Sequence, residues 1–424
     1  MNKNELTKLY EFYREHLMKK ILPFWIPGSI DTEHGGFFTC YGNSTGEPVS
    51  TDKYTWSQGR MIWLFSKLGE SEIFPADERE KFISYAKNGV GFLRSHCHLD
   101  TGGVCFLMNR DGSKKETSPG AGYDVSVYAD CFVILGYARY AALTGDVELF
   151  RFAKSMYEYV KTGYENGDYR SEPYPTPKGY KPHGFPMILL HVNYELFLAA
   201  EKLSCFDKEA EQFLNDSTLF LNEIMCNFVD KNCAVREYVT TENRFDDVNV
   251  LGRYVNPGHT LECMWFALDC AEQTGNTQAI KKIIKIAKHA AELGTDHECG
   301  GLLLYADYDG GKPKGSVAGF EDDKMTGKVL NDWAQKLWWV HSEALYTMLR
   351  CALASNDSSF FDMYNQLHNY TFGTFPNPDG PEWIQIRSRD GAPENKVVAL
   401  PVKDPYHIIR NIILMLELLK KYTA

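Results

Sequence analysis

The sequence predicts an all-α fold, an (α/α)6 barrel of about twelve helices with short hairpin-like excursions, formed by residues 1–424 as a single domain. Three observations predict it. Long segments with apolar residues at helical spacing follow one another along the chain. The glycine pairs Gly35-Gly36, Gly102-Gly103 and Gly300-Gly301 introduce apolar runs (EHGGFFTCY, DTGGVCFLM, ECGGLLLYA) at spacings of 67 and 198 residues, the second close to three times the first. The helix endings AALTGD and AEQTGN place stop glycines Gly145 and Gly275 130 residues apart, about twice the same period. Six units of about 65–75 residues, each a helical pair, fill the chain.

In chain order, MNKNELTKLYEFYREHL reads as an amphipathic helix. Periodicity and caps then predict helices over Tyr54–Leu68, Phe82–Ser95, Ser126–Leu143, Glu148–Thr162, Met187–Leu203, Asp207–Phe228, Gly258–Gln273, Thr277–Leu293, Leu330–Ala352, Phe360–Thr374 and Tyr406–Lys421. The runs after the glycine pairs are too short for a large sheet and predict small hairpins. Helical pairs with one apolar face each must stack, as a closed ring or an open solenoid. Aromatic residues crowded at helix starts favour closure around one mouth. The segment 163–184, with Pro173, Pro175, Pro177 and Pro182, reads as a long loop over that mouth.

Composition narrows the partners. A 44% apolar and 14% aromatic content excludes disorder. A net charge of −11 without a Lys/Arg block argues against nucleic acid and anionic membranes. No run approaches 18 apolar residues, so a cytoplasmic, non-membrane protein is expected. Eleven cysteines without a CxxC or a regular framework predict free thiols in a reducing compartment.

Two tetrapeptides concentrate the chemistry, Asn256-Pro257-Gly258-His259 and Asp404-Pro405-Tyr406-His407. A capping Asn or Asp followed by Pro makes each histidine the third residue of a helix, where exposed N–H groups disfavour imidazolium and favour a neutral base. Glu262 lies three positions after His259 and would orient or polarise it; Arg410 holds the same place after His407, so the two rings should differ in proton affinity. Arg60, flanked by Trp56 and Trp63, suits sugar oxygens or a developing enolate; a buried salt bridge to Asp52 or another acid is the structural alternative. In KLWWVHSEAL, Trp338 and Trp339 precede His341 and Glu343, and Glu343 suits a substrate hydroxyl. His341 is either structural or a ligand contact. HECG and HCHLD lack complementary metal ligands, and no P-loop or dinucleotide fingerprint is present, so side chains alone should supply the chemistry.

The text FWIPGSIDTEHGGFF, KYTWSQGRMIWLFSKL, GFPMILL, GRYVNPGHTLECMWFAL, KLWWVHSEAL and DPYHIIR resembles, nearly end to end, the N-acylglucosamine 2-epimerase family, which includes cellobiose 2-epimerases and aldose–ketose isomerases. The resemblance implies an (α/α)6 barrel. It makes His259 and His407 the catalytic acid–base pair and Arg60 and Glu262 polar supports, with Trp56, Trp338, Trp339, His341, Glu343, Met187 and Arg410 around the substrate. The cellobiose and isomerase branches usually carry a histidine where this chain has Pro186 and Met187; His183 and His191 are out of register. That departure points to the N-acylglucosamine branch, hence to interconversion of N-acetylglucosamine and N-acetylmannosamine. Epimerisation or isomerisation of another free sugar such as mannose or cellobiose, and sugar binding without turnover, are the alternatives. A free N-acylated hexosamine as substrate, no required cofactor, ATP as an effector at an unlocated site, and a homodimer complete what the resemblance implies.

Overall fold

The computed structural model describes residues 2–355 and 357–423. Among them are twelve helices of fourteen residues or more: α1 (Lys3–His16), α2 (Thr55–Glu70), α3 (Ala76–His96), α4 (Val127–Thr144), α5 (Val147–Asn166), α6 (Gly184–Leu203), α7 (Asp207–Glu223), α8 (Pro257–Gln273), α9 (Thr277–Gly294), α10 (Trp338–Ser355), α11 (Ser358–Thr374) and α12 (Tyr406–Thr423). The even-numbered helices pack one on the next and α12 returns to α2, closing an inner ring. Each odd-numbered helix from α3 to α11 packs outside the even-numbered helix before it, and α1 packs on α12, so the two ends of the chain complete the sixth pair. This is the (α/α)6 barrel.

Side-chain pattern decides the ring. On outer helix α9 the buried residues Ile283, Ile286, Ala287, Ala290, Ala291 and Gly294 form one stripe at helical spacing. On inner helices α4 and α8 every residue from Ala129 to Ala138, and from Leu261 to Leu268, is buried. Such helices are covered by neighbours on both flanks and by their outer partner. Two inner helices meet at glycines: a Cβ on Gly59 of α2 would lie 2.4 Å from the Phe132 carbonyl oxygen, and one on Gly136 of α4 would lie 2.7 Å from the Gly59 carbonyl oxygen.

The excursions cluster at the starts of the inner helices. Strands β1 (Lys53–Tyr54), β2 (Leu107–Met108) and β3 (Lys114–Lys115) form one small antiparallel sheet. Three antiparallel pairs follow: β4 (Tyr180–Pro182) with β5 (Tyr238–Thr240), β6 (Tyr254–Val255) with β7 (Ala306–Asp307), and β8 (Lys336–Leu337) with β9 (Ile386–Arg387). β1, β4, β6 and β8 lead directly into α2, α6, α8 and α10, so the ladders clip these N-termini around one mouth. The glycine pairs stand between antiparallel bridges Ile30–Phe37, His98–Val104 and Thr295–Leu302. Equivalent bridges, Val229–Val235 and Pro376–Trp383, follow α7 and α11 without a glycine pair, so the repeat is more complete than the glycines reveal.

Some boundaries differ from expectation. α3 starts at Ala76 rather than Phe82, because Pro75 caps it and Asp77 and Glu78 fill its first turn. The stretch expected as one helix over Leu330–Ala352 is a short helix, Lys324–Asp332, then β8, then α10; no Gly or Pro in the sequence marks the break. The last five residues of Asp207–Phe228, Ile224–Phe228, are π-helical. α5 extends to Asn166 and β4 occupies Tyr180–Pro182, which leaves 167–179 as the irregular part of the expected loop. The eleven cysteines are free thiols, and among the described residues no helix is long and apolar enough to cross a membrane.

Candidate active site

A cavity of about 240 Å3 opens at this mouth. Trp56 and Arg60 of α2, Met187 of α6, His259 and Glu262 of α8, Trp338 and Trp339 of α10, and His407 and Arg410 of α12 line it. Ser171, Tyr174 and Thr176 of the loop after α5 line it too, as do Val398, Ala399 and Leu400; the Tyr174 hydroxyl donates to the Val398 carbonyl, joining the two loops.

His259 and His407, 148 residues apart in sequence, flank one indole: their ring centroids lie 5.2 and 5.8 Å from that of Trp339. His259 is the third residue of α8, and the Asn256 side chain accepts its N–H at 3.2 Å. α12 begins at Tyr406, so His407 is its second residue rather than its third, with Asp404 Oδ1 accepting the Tyr406 N–H at 2.8 Å. Nδ1 of His259 donates to Glu237 Oε2 at 2.9 Å, and Nδ1 of His407 donates to Glu343 Oε1 at 2.6 Å. Nε2 is therefore the nitrogen each ring keeps for the cavity.

The carboxylate behind His259 is not the expected one. Glu262, on the same helix face, is drawn across the barrel to Arg410, whose Nη2 donates to both Glu262 Oε1 and Glu343 Oε1, the latter at 2.6 Å. A guanidinium can serve two carboxylates at once, and the buried pair needs that charge. Glu343 is wholly buried behind His407 rather than facing a substrate hydroxyl; it also accepts from Asn411 Nδ2 at 2.8 Å and Trp265 Nε1 at 2.8 Å. His341 leaves the site as well. Its Nδ1 donates to the Leu337 carbonyl at 2.8 Å and its Nε2 accepts the Leu302 N–H at 3.0 Å, tying the Thr295–Leu302 turn to α10.

Arg60 stands over the faces of Phe132, Tyr406 and Trp56, with its carbon centre 4.1, 5.0 and 5.1 Å from the ring centroids, and donates to Asp404 Oδ2. Trp63 faces Tyr406 and Arg139 instead. The guanidinium thus both lines the cavity and holds the acid that starts α12.

These surroundings set the two rings apart. Burial lowers the proton affinity of His259, but the Glu237 carboxylate outweighs it and the pKa is raised, against the expectation of a neutral ring at a helix start. His407 is pushed down to about 3, by burial first and then by Arg60 and Arg410 against the pull of Glu262 and Asp404. Glu237 is held down at about 2 although burial opposes it, because His259 and His183 face it. Donor atoms of Glu262, Glu343 and His407 lie within 4.8 Å of one another, a spacing a metal could span. Arg410 Nη2 occupies that position, bonded to both carboxylates and 3.4 Å from His407 Nδ1.

The family model for N-acylglucosamine 2-epimerase (GlcNAc 2-epimerase) matches residues 36–411. The chain belongs to the N-acylglucosamine 2-epimerase family. It is 28% identical to the N-acylglucosamine 2-epimerase of Bos taurus over 95% of this chain and 89% of that one. It is 29% identical to the N-acylglucosamine 2-epimerase of Homo sapiens, over 95% and 88%. The cellobiose 2-epimerase structure from Bacillus thermoamylovorans B4167 superposes with a TM-score of 0.77 at 19% identity, over 97% of this chain and 99% of that one, and shares the fold. As a member of the N-acylglucosamine 2-epimerase family, the protein is an isomerase acting on carbohydrates.

For this epimerase-family site, sequence reasoning missed Glu237 and gave Asp404 only the role of a cap. A signal for Glu237 existed: in VREYV it alternates with Val235 and Val239, all three buried, and an acid in an apolar run needs a partner.

Proposed function

We propose that the protein interconverts N-acetylglucosamine and N-acetylmannosamine by exchanging the C2 proton of the open-chain sugar between two bases. The observation that carries this reading is the pair of imidazoles on one Trp339 ring, each with a carboxylate behind Nδ1 and Nε2 left for the cavity. Opening the ring exposes a carbonyl that acidifies the C2 proton. In the direction of N-acetylmannosamine, His407, kept neutral by its burial, removes that proton. His259, kept protonated by Glu237, assists ring opening and returns a proton to the opposite face. The reverse direction exchanges the roles. Arg60 at the cavity wall stabilises the negative charge that develops on the carbonyl oxygen.

Met187 and Ile188 form the wall at the start of α6, and His191 on the same helix is buried against Phe266, centroids 4.0 Å apart. An apolar wall there suits the methyl of an acetamido group and supports an N-acylated hexosamine as substrate. The test is incubation with N-acetylglucosamine, N-acetylmannosamine, mannose, glucose and cellobiose, with products identified by NMR. Interconversion of the two amino sugars is the expected result. Turnover of the neutral sugars alone would overturn the substrate, and a ketose product would mean that the proton returns to C1.

A further inference from the structure

We infer that His183 is a positioning residue for this reaction: with Glu237 it builds a histidine–carboxylate–histidine array behind His259 that sets how tightly His259 holds its proton. The inference rests on the reading that His259 exchanges protons with substrate. Neither the sequence resemblance nor the helix-start pattern singled out His183, which lies on the far side of Glu237 from the cavity.

The backbone fixes the array. The β4–β5 ladder continues one step beyond Pro182–Tyr238, where the His183 N–H donates to the Glu237 carbonyl at 2.9 Å. This registers the two side chains beside one another at the start of α6. Glu237 Oε2 accepts from His259 Nδ1, and Oε1 lies 3.5 Å from His183 Nδ1. His183 is wholly buried, and among the described residues neither of its ring nitrogens, nor Glu237 Oε1, has a hydrogen-bond partner. Two unsatisfied polar groups that face each other at this distance complete one another.

Charge bookkeeping at the site points the same way. Glu237 before β5, Glu262 on its own helix and Glu343 on α10 act on His259 directly. His407 and Arg410 on α12, Arg60, Asp404 and Lys328, and the tyrosines Tyr128, Tyr174, Tyr238, Tyr254 and Tyr305 line the same cavity. Glu262 and Glu343 are paired with Arg410, and Asp404 with Arg60. Glu237 has no guanidinium or ammonium within ion-pair distance among the described residues; its two neighbours are imidazoles. His183 therefore shares the carboxylate charge that would otherwise act on His259 alone. A carboxylate that gives part of its charge to a second donor holds the His259 proton less tightly. Whether His183 presents a neutral N–H or an imidazolium, its removal moves His259 in one direction, upward.

The test is histidine-labelled NMR titration of the full-length protein without substrate, with the His259 resonance assigned by its loss in His259→Asn. In His183→Phe the His259 pKa should rise by about half a unit or more. The limb of the kcat/KM pH profile that reports His259 should move with it. His183→Gln, which keeps an N–H for Glu237, should return most of the shift. Glu237→Gln should move the His259 pKa the opposite way, below that of the unmodified protein. A purely structural His183 would lower the Tm of both His183 variants and leave the His259 titration in place; that result overturns the inference. Because the titration needs no turnover, it stands or falls separately from the substrate assignment.

Discussion

Arg410 shows how one residue decides several others. Wholly buried, it joins Glu262 and Glu343, and Glu343 in turn holds His407. Arg410→Met would leave two carboxylates facing one another without a cation, at a cost of about 3–5 kcal/mol, measurable by urea unfolding. The two histidines make a separate statement in pH. Conversion of N-acetylglucosamine requires neutral His407 and protonated His259, so kcat/KM should fall as pH rises through the raised pKa of His259. On the acid side His407 stays neutral down to about pH 3, and should impose no limb near pH 6. The histidines themselves were legible, because an Asn or Asp followed by Pro at a helix start is a local pattern. Their carboxylates were not: Glu237 and Glu343 are 22 and 64 residues away, on other elements, and only the closed ring brings them in.

At the level of elements, the site depends on how closely α2 and α4 approach. Gly59 precedes Arg60, and the Phe132 carbonyl it meets is backbone that cannot swing aside. Gly59→Ala should therefore cost about 1–3 kcal/mol or more and lower activity by displacing Arg60, read from denaturant unfolding beside kcat. A stability equal to that of the unmodified protein would show that the helices part freely. Helix existence was plain from periodicity and capping, as α8 with its Asn256 cap and α9 with its single stripe show. The break between Lys324–Asp332 and α10 was hidden, since no Gly or Pro stands between Asp332 and Trp338. The turns after α7 and α11 were hidden too, because Cys233 and Glu382 take positive φ of 73° and 71° without a glycine to announce it.

The whole molecule carries a pH dependence of stability that no single site reveals. Burial lowers His16, His98 and His368 to about 4 and His341 and His407 to about 3, and holds His191 well below its ordinary value. The unfolded chain binds protons at these six positions below about pH 6.5 and the folded chain does not, so each subtracts up to about 1.4 kcal/mol per pH unit as pH falls. His259 works the other way, adding stability that is present below pH 6.5 and lost as pH rises through its raised pKa. The raised carboxyls Asp124, Asp130, Asp269 and Glu382 act in the same sense as His259. With six histidines set against these, the Tm should fall from pH 7 toward pH 5, and a flat profile would contradict the neutral burial of these rings. The ring closes where α12, the helix that carries His407 and Arg410, returns to α2, and α1 packs over α12 to complete the sixth pair. The number and order of helical pairs were readable from the repeat, whereas the joining of the first helix to the last is a long-range contact that no local pattern encodes. The claim at the centre is that His259 and His407 serve opposite faces of C2, and deuterium exchange at C2 in D2O tests it most directly in the two single variants. His407→Asn should lose exchange from N-acetylglucosamine and His259→Asn from N-acetylmannosamine, each with net epimerisation abolished; near-normal turnover in either variant would contradict the account.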